Sequence, residues 1–486
     1  MHINPLNSID FYKAAHIDQY PDNTTMIYSN FTPRSSKHSN LPHTNERIVF
    51  FGLQYYIMSF LLETWDSEFF AKDKEEVVAE YRRRMDTSLG MYVVDTKHIA
   101  ALHDLGYLPI EIKAVPEGTE VSMKVPCLTI HNTHPDFAWL VNYLESSLSC
   151  YLWKACTSAT TARWYRRLMD KYAAKTGTDL DTVDFQAHDF SFRGMASIMD
   201  ASLSGAAHLT SFKGTDTVAA IDLLEDYYLA DAKESMIGGS VAATEHSVMS
   251  AYGEEYEMSV FRRLLSEVYP EGIVSIVSDT YDYWRLLTEY LPMMKHYVMA
   301  RHNGKLVIRP DSGDPVKIIC GDPDAPIGSP EYKGSVAVLW DIFGGHQTET
   351  GHRMLDPRIG LIYGDSITPE RAEEILEKLH LKGYASGNIV LGIGSYTYQH
   401  VTRDTYGFAV KATAAEIEGE MVELFKDPKT DDGTKKSARG LLRVFDGKLQ
   451  DQQATIEGGD LETIFKNGVL SRVQSLEEIR ERLKEK

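Results

Sequence analysis

Between Leu306 and Pro315 an apolar run breaks off into Arg309-Pro310-Asp311-Ser312-Gly313-Asp314: a cation, a proline, two carboxylates, a hydroxyl and a glycine. A guanidinium can hold a phosphate bidentately. Carboxylates suit ribose hydroxyls or a hydrated Mg²⁺, which prefers oxygen ligands and keeps several waters. The same residue types recur after three other apolar runs, as Ser278-Asp279, Gly364-Asp365-Ser366 and Gly392-Ile393-Gly394-Ser395. Glycines with free N–H groups at a helix start suit a phosphate. Taken singly, Asp and Gly at such places are more often turn formers or helix caps. Four of them in equivalent positions read together as a site for a sugar phosphate.

Further candidates surround this set. Asp216, in Lys213-Gly214-Thr215-Asp216-Thr217, either caps a helix or faces the pocket. There its carboxylate would accept hydrogen bonds from an N–H₂ group and repel a carboxylate ligand. His246, in Thr244-Glu245-His246-Ser247, enters a helical run and is either structural or a nucleophile or general base. In His188-Asp189-Phe190-Ser191-Phe192-Arg193-Gly194, the phenylalanines are either core or a stacking surface for a flat ring, and Arg193 can hold an anion. Arg403, Lys411, Lys426, Lys435, Lys436 and Arg439 form either a solvated basic face or part of a polyphosphate site.

These residues need elements to position them. From about residue 185, short apolar runs ending in polar residues alternate with helical segments: 185–190, 207–212, 274–279, 306–311, 359–365 and 388–394. Strand–helix alternation at this spacing means parallel βα units. Six or more units fit an α/β barrel, whose ligands sit beyond the carboxyl ends of the strands. After Asp365, Thr368 supplies a cap and Pro369 a first turn, Ile375, Leu376 and Leu379 share a face, and Gly383 ends the helix. Ahead of the barrel, Ile110 to Val115 alternates as a half-buried strand stopped by Pro116-Glu117-Gly118, and Phe51 to Ile57 leads into an amphipathic helix. Behind it, alternating strands near Val410 to Leu424 precede a basic loop and return to the amino-terminal part. The domains expected are 1–155 with 400–486, an α/β domain from both chain ends, and 156–399, the barrel.

Composition narrows the function classes. At 486 residues the chain is too long for one core. A formal charge of −20 opposes general binding to nucleic acid or anionic membranes. A local cationic pocket remains compatible, since salt screens charges beyond about 10 Å. The four cysteines lack metal spacing and read as free buried thiols in a reducing cytoplasm. Met1 to Asp10 lacks the pattern of a signal peptide, and Val49 to Leu62 is too short and punctuated to span a bilayer.

Ordered landmarks then resemble the nicotinamide phosphoribosyltransferase family along almost the whole chain. They are Asp10-Phe11-Tyr12-Lys13, Gln19-Tyr20-Pro21, Leu108 to Gly118, His188-Asp189-Phe190, Phe212 to Ala219, Glu245-His246-Ser247, Ile308 to Gly313, Gly364-Asp365, Thr402-Arg403-Asp404 and Phe425-Lys426-Asp427-Pro428. The resemblance implies a type II phosphoribosyltransferase α/β barrel in a homodimer with shared sites. It implies phosphoribosyl transfer from phosphoribosyl pyrophosphate to nicotinamide with Mg²⁺, coupled to ATP through a phosphohistidine. By the same resemblance Phe190 and the partner's Tyr12 sandwich the pyridine ring, and Asp216 receives the carboxamide. Arg193 and Arg309 bind phosphates, and Asp311, Gly364 and Asp365 hold the ribose. Gly394 and Ser395, with Arg403 and Lys411 of the other chain, cradle the 5′-phosphate. Asp279 and Asp311 place Mg²⁺, His246 takes the phosphoryl group, and Arg34, Lys426 and Lys435 meet ATP or pyrophosphate. The phosphate loop departs from the family's pattern, because Ile393, Ser395 and Tyr396 stand where serine and further glycines are usual.

Two other readings compete. A nicotinate enzyme would be distinguished by equal or better turnover of the acid, which Asp216 argues against. A non-catalytic nucleotide-binding barrel would be distinguished by failure to release pyrophosphate, and the retained acids and histidine argue against it.

Overall fold

The structure is a computed structural model that describes residues 3–42, 46–301, 303–364, 366–425 and 438–484. Its contacts divide the chain into two units: Met1–Thr160 with Leu224–Ala230 and Val401–Lys486, and Thr161–Leu223 with Asp231–His400.

The second unit is the parallel one. Its seven-stranded sheet runs, in spatial order, Gly214–Thr215, Ala187–Asp189, Ile389–Ile393, Ile359–Tyr363, Gly304–Arg309, Gly272–Val277 and Ala242–Ala243. Every pairing in it is parallel. Neighbours in space are neighbours in chain order, and the last strand returns to pair with Ala187–Asp189. A parallel bridge between Gly214 and Gly239 ties the two edges of the sheet together. Val274, Ile276, Leu306, Ile308, Leu361, Leu391 and Ile393 are buried among the surrounding helices, which is the reason these runs carry almost no polar residues.

The helix Pro369–Leu381 starts where its capping residue dictates. Thr368 accepts from the Arg371 N–H at 3.3 Å, Pro369 occupies the first turn, and Ile375, Leu376 and Leu379 are buried. Gly383 follows at φ +72°, a backbone that suits glycine. One expected strand is not there. Residues 207–212 belong to or follow the helix Ile198–Leu209, capped by Ser197, and the strand comes after it at Gly214–Thr215. The run Ala-Ala-His-Leu is helical because it ends a helix whose residues Ala201 to Leu209 are all buried, and that packing outweighs its local resemblance to a strand.

The first unit holds a seven-stranded antiparallel sheet. Its order is Glu420–Glu423, Ala409–Ile417, Thr24–Thr32, Leu128–Asn132, Ile110–Ala114, Glu462–Lys466 and Val469–Leu470. Three strands from the amino-terminal part therefore lie in the middle of the sheet, flanked on each side by two from the carboxyl-terminal part. Residues Leu224–Ala230 go with this unit: the Gln54 side chain donates to the Tyr227 carbonyl at 2.5 Å, and Tyr228 stacks on Phe51 and donates to Glu117. The expected half-burial of Ile110–Ala114 is corrected here, since all five residues are buried. Its polar face is covered because Glu111 pairs with Lys466 at 2.8 Å and Lys113 with Glu457 at 2.8 Å. Cys127, Cys156 and Cys320 are buried thiols, whereas Cys150 is exposed, which corrects its expected burial. Among the described residues no helix is long and apolar enough to cross a membrane.

Candidate functional site

A pocket of about 730 Å³ opens at the carboxyl ends of the parallel strands. Phe190, Arg193, Asp216, Arg309, Asp311, Gly364, Gly394 and Ser395 all line it, so residues from five segments of the sequence meet in one place. Ser366, Thr368 and Arg371 also reach it, from the turn after Ile359–Tyr363. Topology accounts for the convergence, because parallel strands around a ring end on the same face.

Asp216 is held with care. His188 Nε2 lies 2.8 Å from its Oδ1, and Ser240 Oγ donates to the same oxygen at 2.6 Å. The carboxylate remains 43% exposed, enough to meet a ligand with its other oxygen. Desolvation acts to raise the Asp216 carboxyl. The hydrogen bonds from His188 and Ser240 and the charge of Arg309 outweigh it and keep the group below its usual range, hence ionised. Behind it, the buried Asp189 accepts from Ser191 N at 2.9 Å and from Thr217 Oγ1 at 2.7 Å. One carboxylate thereby joins the turn bearing Phe190 and Arg193 to the turn bearing Asp216.

The Phe190 ring needs absent side chains to sit where it does. A Cβ on Gly392 would lie 2.6 Å from Phe190 Cδ2 and 2.9 Å from Gly364 Cα. A Cβ on Gly364 would collide with Asp311 Oδ1, and one on Gly194 with the Ser395 side chain. These glycines are space for the site rather than flexibility.

The acids form a chain. Asp279, its side chain almost fully buried, accepts from Asp311 N at 2.9 Å and Ser312 Oγ at 2.6 Å, both on Oδ2. Its Oδ1 is buried without a hydrogen-bond partner and lies 3.8 Å from His246 Nε2. His246 begins the helix His246–Ser250, is half exposed, and has Nδ1 3.2 Å from Thr280 Oγ1. Arg309 donates to the Thr244 carbonyl at 2.6 Å, with Nε 3.7 Å from Asp311 Oδ2. Among the described residues no three His, Cys, Asp or Glu side chains converge as a resident metal would require. The orphaned Asp279 oxygen and the Asp311 carboxylate nevertheless fit Mg²⁺ brought in with a substrate, since it needs few protein ligands and keeps waters and substrate oxygens.

The other expected contacts lie in the first unit. Tyr12, Arg34, Arg403 and Lys411 line a pocket of about 500 Å³, together with Asp10, Glu145 and Trp153. Arg34 Nε donates to the Gly407 carbonyl at 2.6 Å, and Lys13 Nζ pairs with Glu145 at 2.5 Å and lies 5.2 Å from the Tyr12 ring centre. Burial, then the Asp10 and Glu145 charges, push the Tyr12 phenol up. Asp365, Lys426 and Lys435 lie outside the described residues.

Reading the chain by strand ends singled out neither Ser240 nor Arg371, and gave His188 and Gly392 no separate task. Ser240 had one faint signal, the Gly238-Gly239 turn before it. Arg371 sits eight residues beyond its strand, outside any strand-end motif.

Comparison with known proteins agrees with this geometry. The family model "Nicotinate phosphoribosyltransferase (NAPRTase) family" matches residues 185–468, and "Nicotinamide phosphoribosyltransferase, N-terminal domain" matches residues 4–112. The chain is 56% identical over 99% of its length, and 97% of the relative's, to a nicotinamide phosphoribosyltransferase of Acinetobacter baylyi. It is 34% identical over 90% of its length, and 95% of the relative's, to one of Mycoplasma pneumoniae. In fold it is similar to nicotinate-nucleotide pyrophosphorylase from Pyrococcus furiosus, with a TM-score of 0.55, 15% identity and coverage of 99% and 95% of the two chains. It is also similar to human nicotinic acid phosphoribosyltransferase, with a TM-score of 0.53, 15% identity and coverage of 98% and 92%. A barrel with an acid, an aromatic ring and arginines at its mouth, matched along nearly its whole length, places this chain in the nicotinamide phosphoribosyltransferase family.

Proposed function

We propose that this enzyme transfers the phosphoribosyl group of phosphoribosyl pyrophosphate to the ring nitrogen of nicotinamide. The products are nicotinamide mononucleotide and pyrophosphate, a step of NAD salvage. The observation that carries the choice of nicotinamide is Asp216. One of its oxygens is taken by His188 and Ser240, and the other is left to accept a carboxamide N–H. An ionised carboxylate at that point repels nicotinate.

The ring nitrogen attacks the anomeric carbon as the bond to pyrophosphate breaks. Positive charge develops on the ribose, and the Asp311 carboxylate at the pocket wall stabilises it. Phe190 offers a face for the pyridine ring, and Arg193 and Arg309 offer charge for phosphates. Asp279 steadies the Asp311 turn through its backbone and Ser312. Asp279 and Asp311 would hold Mg²⁺, which when bound would supply charge to the leaving pyrophosphate.

The same proposal includes ATP coupling. With Nδ1 engaged by Thr280, His246 Nε2 attacks the γ-phosphorus, forming a P–N bond while the P–O bond to ADP breaks. It also includes a cytoplasmic homodimer in which Tyr12, Arg34, Arg403 and Lys411 of one chain complete the pocket of the other. Lys426, Lys435 and Asp365 are carried within it on the family resemblance alone.

A product assay with nicotinamide or nicotinate, phosphoribosyl pyrophosphate and Mg²⁺ tests the central claim. Nicotinamide should be preferred strongly; equal turnover of the two would defeat it. For the coupling, γ-labelled ATP should leave label on the protein and raise turnover. Both effects should vanish in His246→Ala, and label persisting there would remove His246 from this role.

A further inference from the structure

Three arginines line the barrel pocket, and the reading above uses two of them. The third, Arg371, is separated from every strand-end motif, yet three features aim it at the site. It stands in the first turn of Pro369–Leu381, where Thr368 Oγ1 accepts its backbone N–H at 3.3 Å. Its Nη1 donates to the Ser366 carbonyl at 2.7 Å, which folds the side chain back over the turn rather than out to solvent. Ser366 itself is held at φ +58°. The same turn is joined to the helix Ser395–Gln399, because Thr397 Oγ1 donates to the Ile367 carbonyl at 3.0 Å. Arg371 and Ser395 therefore line one wall, on two segments bonded to each other.

The arginines are not equivalent. Arg309 gives Nη2 to the Thr244 carbonyl and lies with Nε 3.7 Å from Asp311, so its charge is shared with the acidic side of the pocket. Arg371 spends one donor on a carbonyl, faces no carboxylate ion pair among the described residues, and keeps the rest of its fork for a ligand. The segment it adjoins carries Ser395 and Tyr396, whose side chains restrict the close backbone approach that glycines would allow a phosphate. A guanidinium beside them supplies charge and directed donors that reach a phosphate past those side chains.

We propose that Arg371 is a substrate-binding residue that holds the phosphate monoester of the phosphoribosyl group, on the wall shared with Ser395 and Thr397. This rests on the phosphoribosyl transfer proposed above.

The test compares the binding of nicotinamide mononucleotide with that of the same nucleoside lacking the phosphate, by calorimetry or competition. It uses the parent protein, Arg371→Gln and Arg371→Lys. Arg371→Gln should weaken the mononucleotide about ten- to hundredfold, the range for losing a charge-assisted hydrogen bond, while leaving the nucleoside unchanged. Arg371→Lys should recover part of the loss, and KM for phosphoribosyl pyrophosphate should rise more than KM for nicotinamide. Equal weakening of both ligands in Arg371→Gln, or none of either, would overturn the proposal. Equal weakening would make the residue a brace for the Ser366 turn. A parent protein that binds neither ligand would instead overturn the functional reading, and the two failures are thus told apart.

Discussion

In the barrel unit the pocket follows on the carboxyl ends of strands, whereas in the antiparallel unit it draws on scattered places. Tyr12 lies on the short helix Phe11–Asp18, Glu145 and Trp153 on the helix Glu145–Thr176, Arg403 on a single turn, and Lys411 inside the strand Ala409–Ile417. Parallel strands around a ring bring their ends together by topology alone. Antiparallel strands point their ends both ways, so a pocket there depends on which side chains happen to flank it. Buried acids show the same contrast. Glu117 in the first unit is raised by burial but accepts from Gly52 N, Gln54 N and Tyr228 OH. Glu257 in the barrel unit keeps an oxygen buried without a partner and is pushed up to about 7, by burial first and then by the Glu254 charge.

The largest expected effect tests whether the two pockets serve one reaction. Asp311→Asn and Arg403→Ala should each lower kcat/KM about 100- to 1000-fold, as loss of transition-state charge stabilisation does. Mixed after subunit exchange, they should regain about a quarter of parental activity, the statistical share of intact sites in a two-fold dimer. No recovery with exchange confirmed would mean that each pocket works alone.

Next in size, Asp216→Asn should narrow the nicotinamide preference about hundredfold, since like charges opposed in a site cost several kcal/mol. Because the carboxyl sits below its usual range, the parental preference should stay flat as pH falls from neutral until ordinary carboxylates begin to titrate. A preference that already fades near neutral pH would show that Asp216 is not the discriminator.

Gly392→Ala sharpens the comparison further. The added Cβ has no room against Phe190 and Gly364, and overpacking of about 1–3 kcal/mol should appear as a ten- to hundredfold loss in kcat/KM for nicotinamide. Gly106→Ala in the first unit meets nothing within 4 Å of its Cβ and should leave that kinetic constant unchanged. A similar loss in both would point to backbone effects instead of a ring seat.

The smallest effect is on stability. Glu257 binds its proton more tightly folded than unfolded, so its contribution falls as pH rises from the ordinary carboxylate range to about 7. Glu257→Gln should therefore stabilise the fold above pH 7, by about 1–3 kcal/mol at most and visible as a higher Tm, and change little in acid. A gain that is largest at low pH would reverse the assignment.

Much of the barrel was legible because its signals are local. The apolar runs at 359–365 and 388–394 each contain an observed strand, those at 274–279 and 306–311 each overlap one that starts two residues earlier, and Thr368, Pro369 and Gly383 mark the ends of one helix. The run at 207–212 misled because Ala207, Leu209 and Phe212 carry no clear period among His208, Thr210 and Ser211, and only the burial of the whole stretch from Ala201 to Leu209 chose the helix. Ile110–Ala114 misled for the opposite reason. Its alternating Glu111 and Lys113 read as a solvated face, while their partners Lys466 and Glu457 come from more than 300 residues away.

The sequence by itself determined the chemistry available: cations, acids and glycines after apolar runs, a histidine at a helix start, and the family to which their order belongs. Closure of the ring decided how that chemistry is used. His188, Asp216 and Ser240 are strangers in the chain until adjacent strands set them within hydrogen-bonding distance. Gly392 becomes a seat for Phe190 only when the last strand pairs with Ala187–Asp189. Residue type is inherited from the chain, but which oxygen of an acid stays open depends on neighbours that only packing provides.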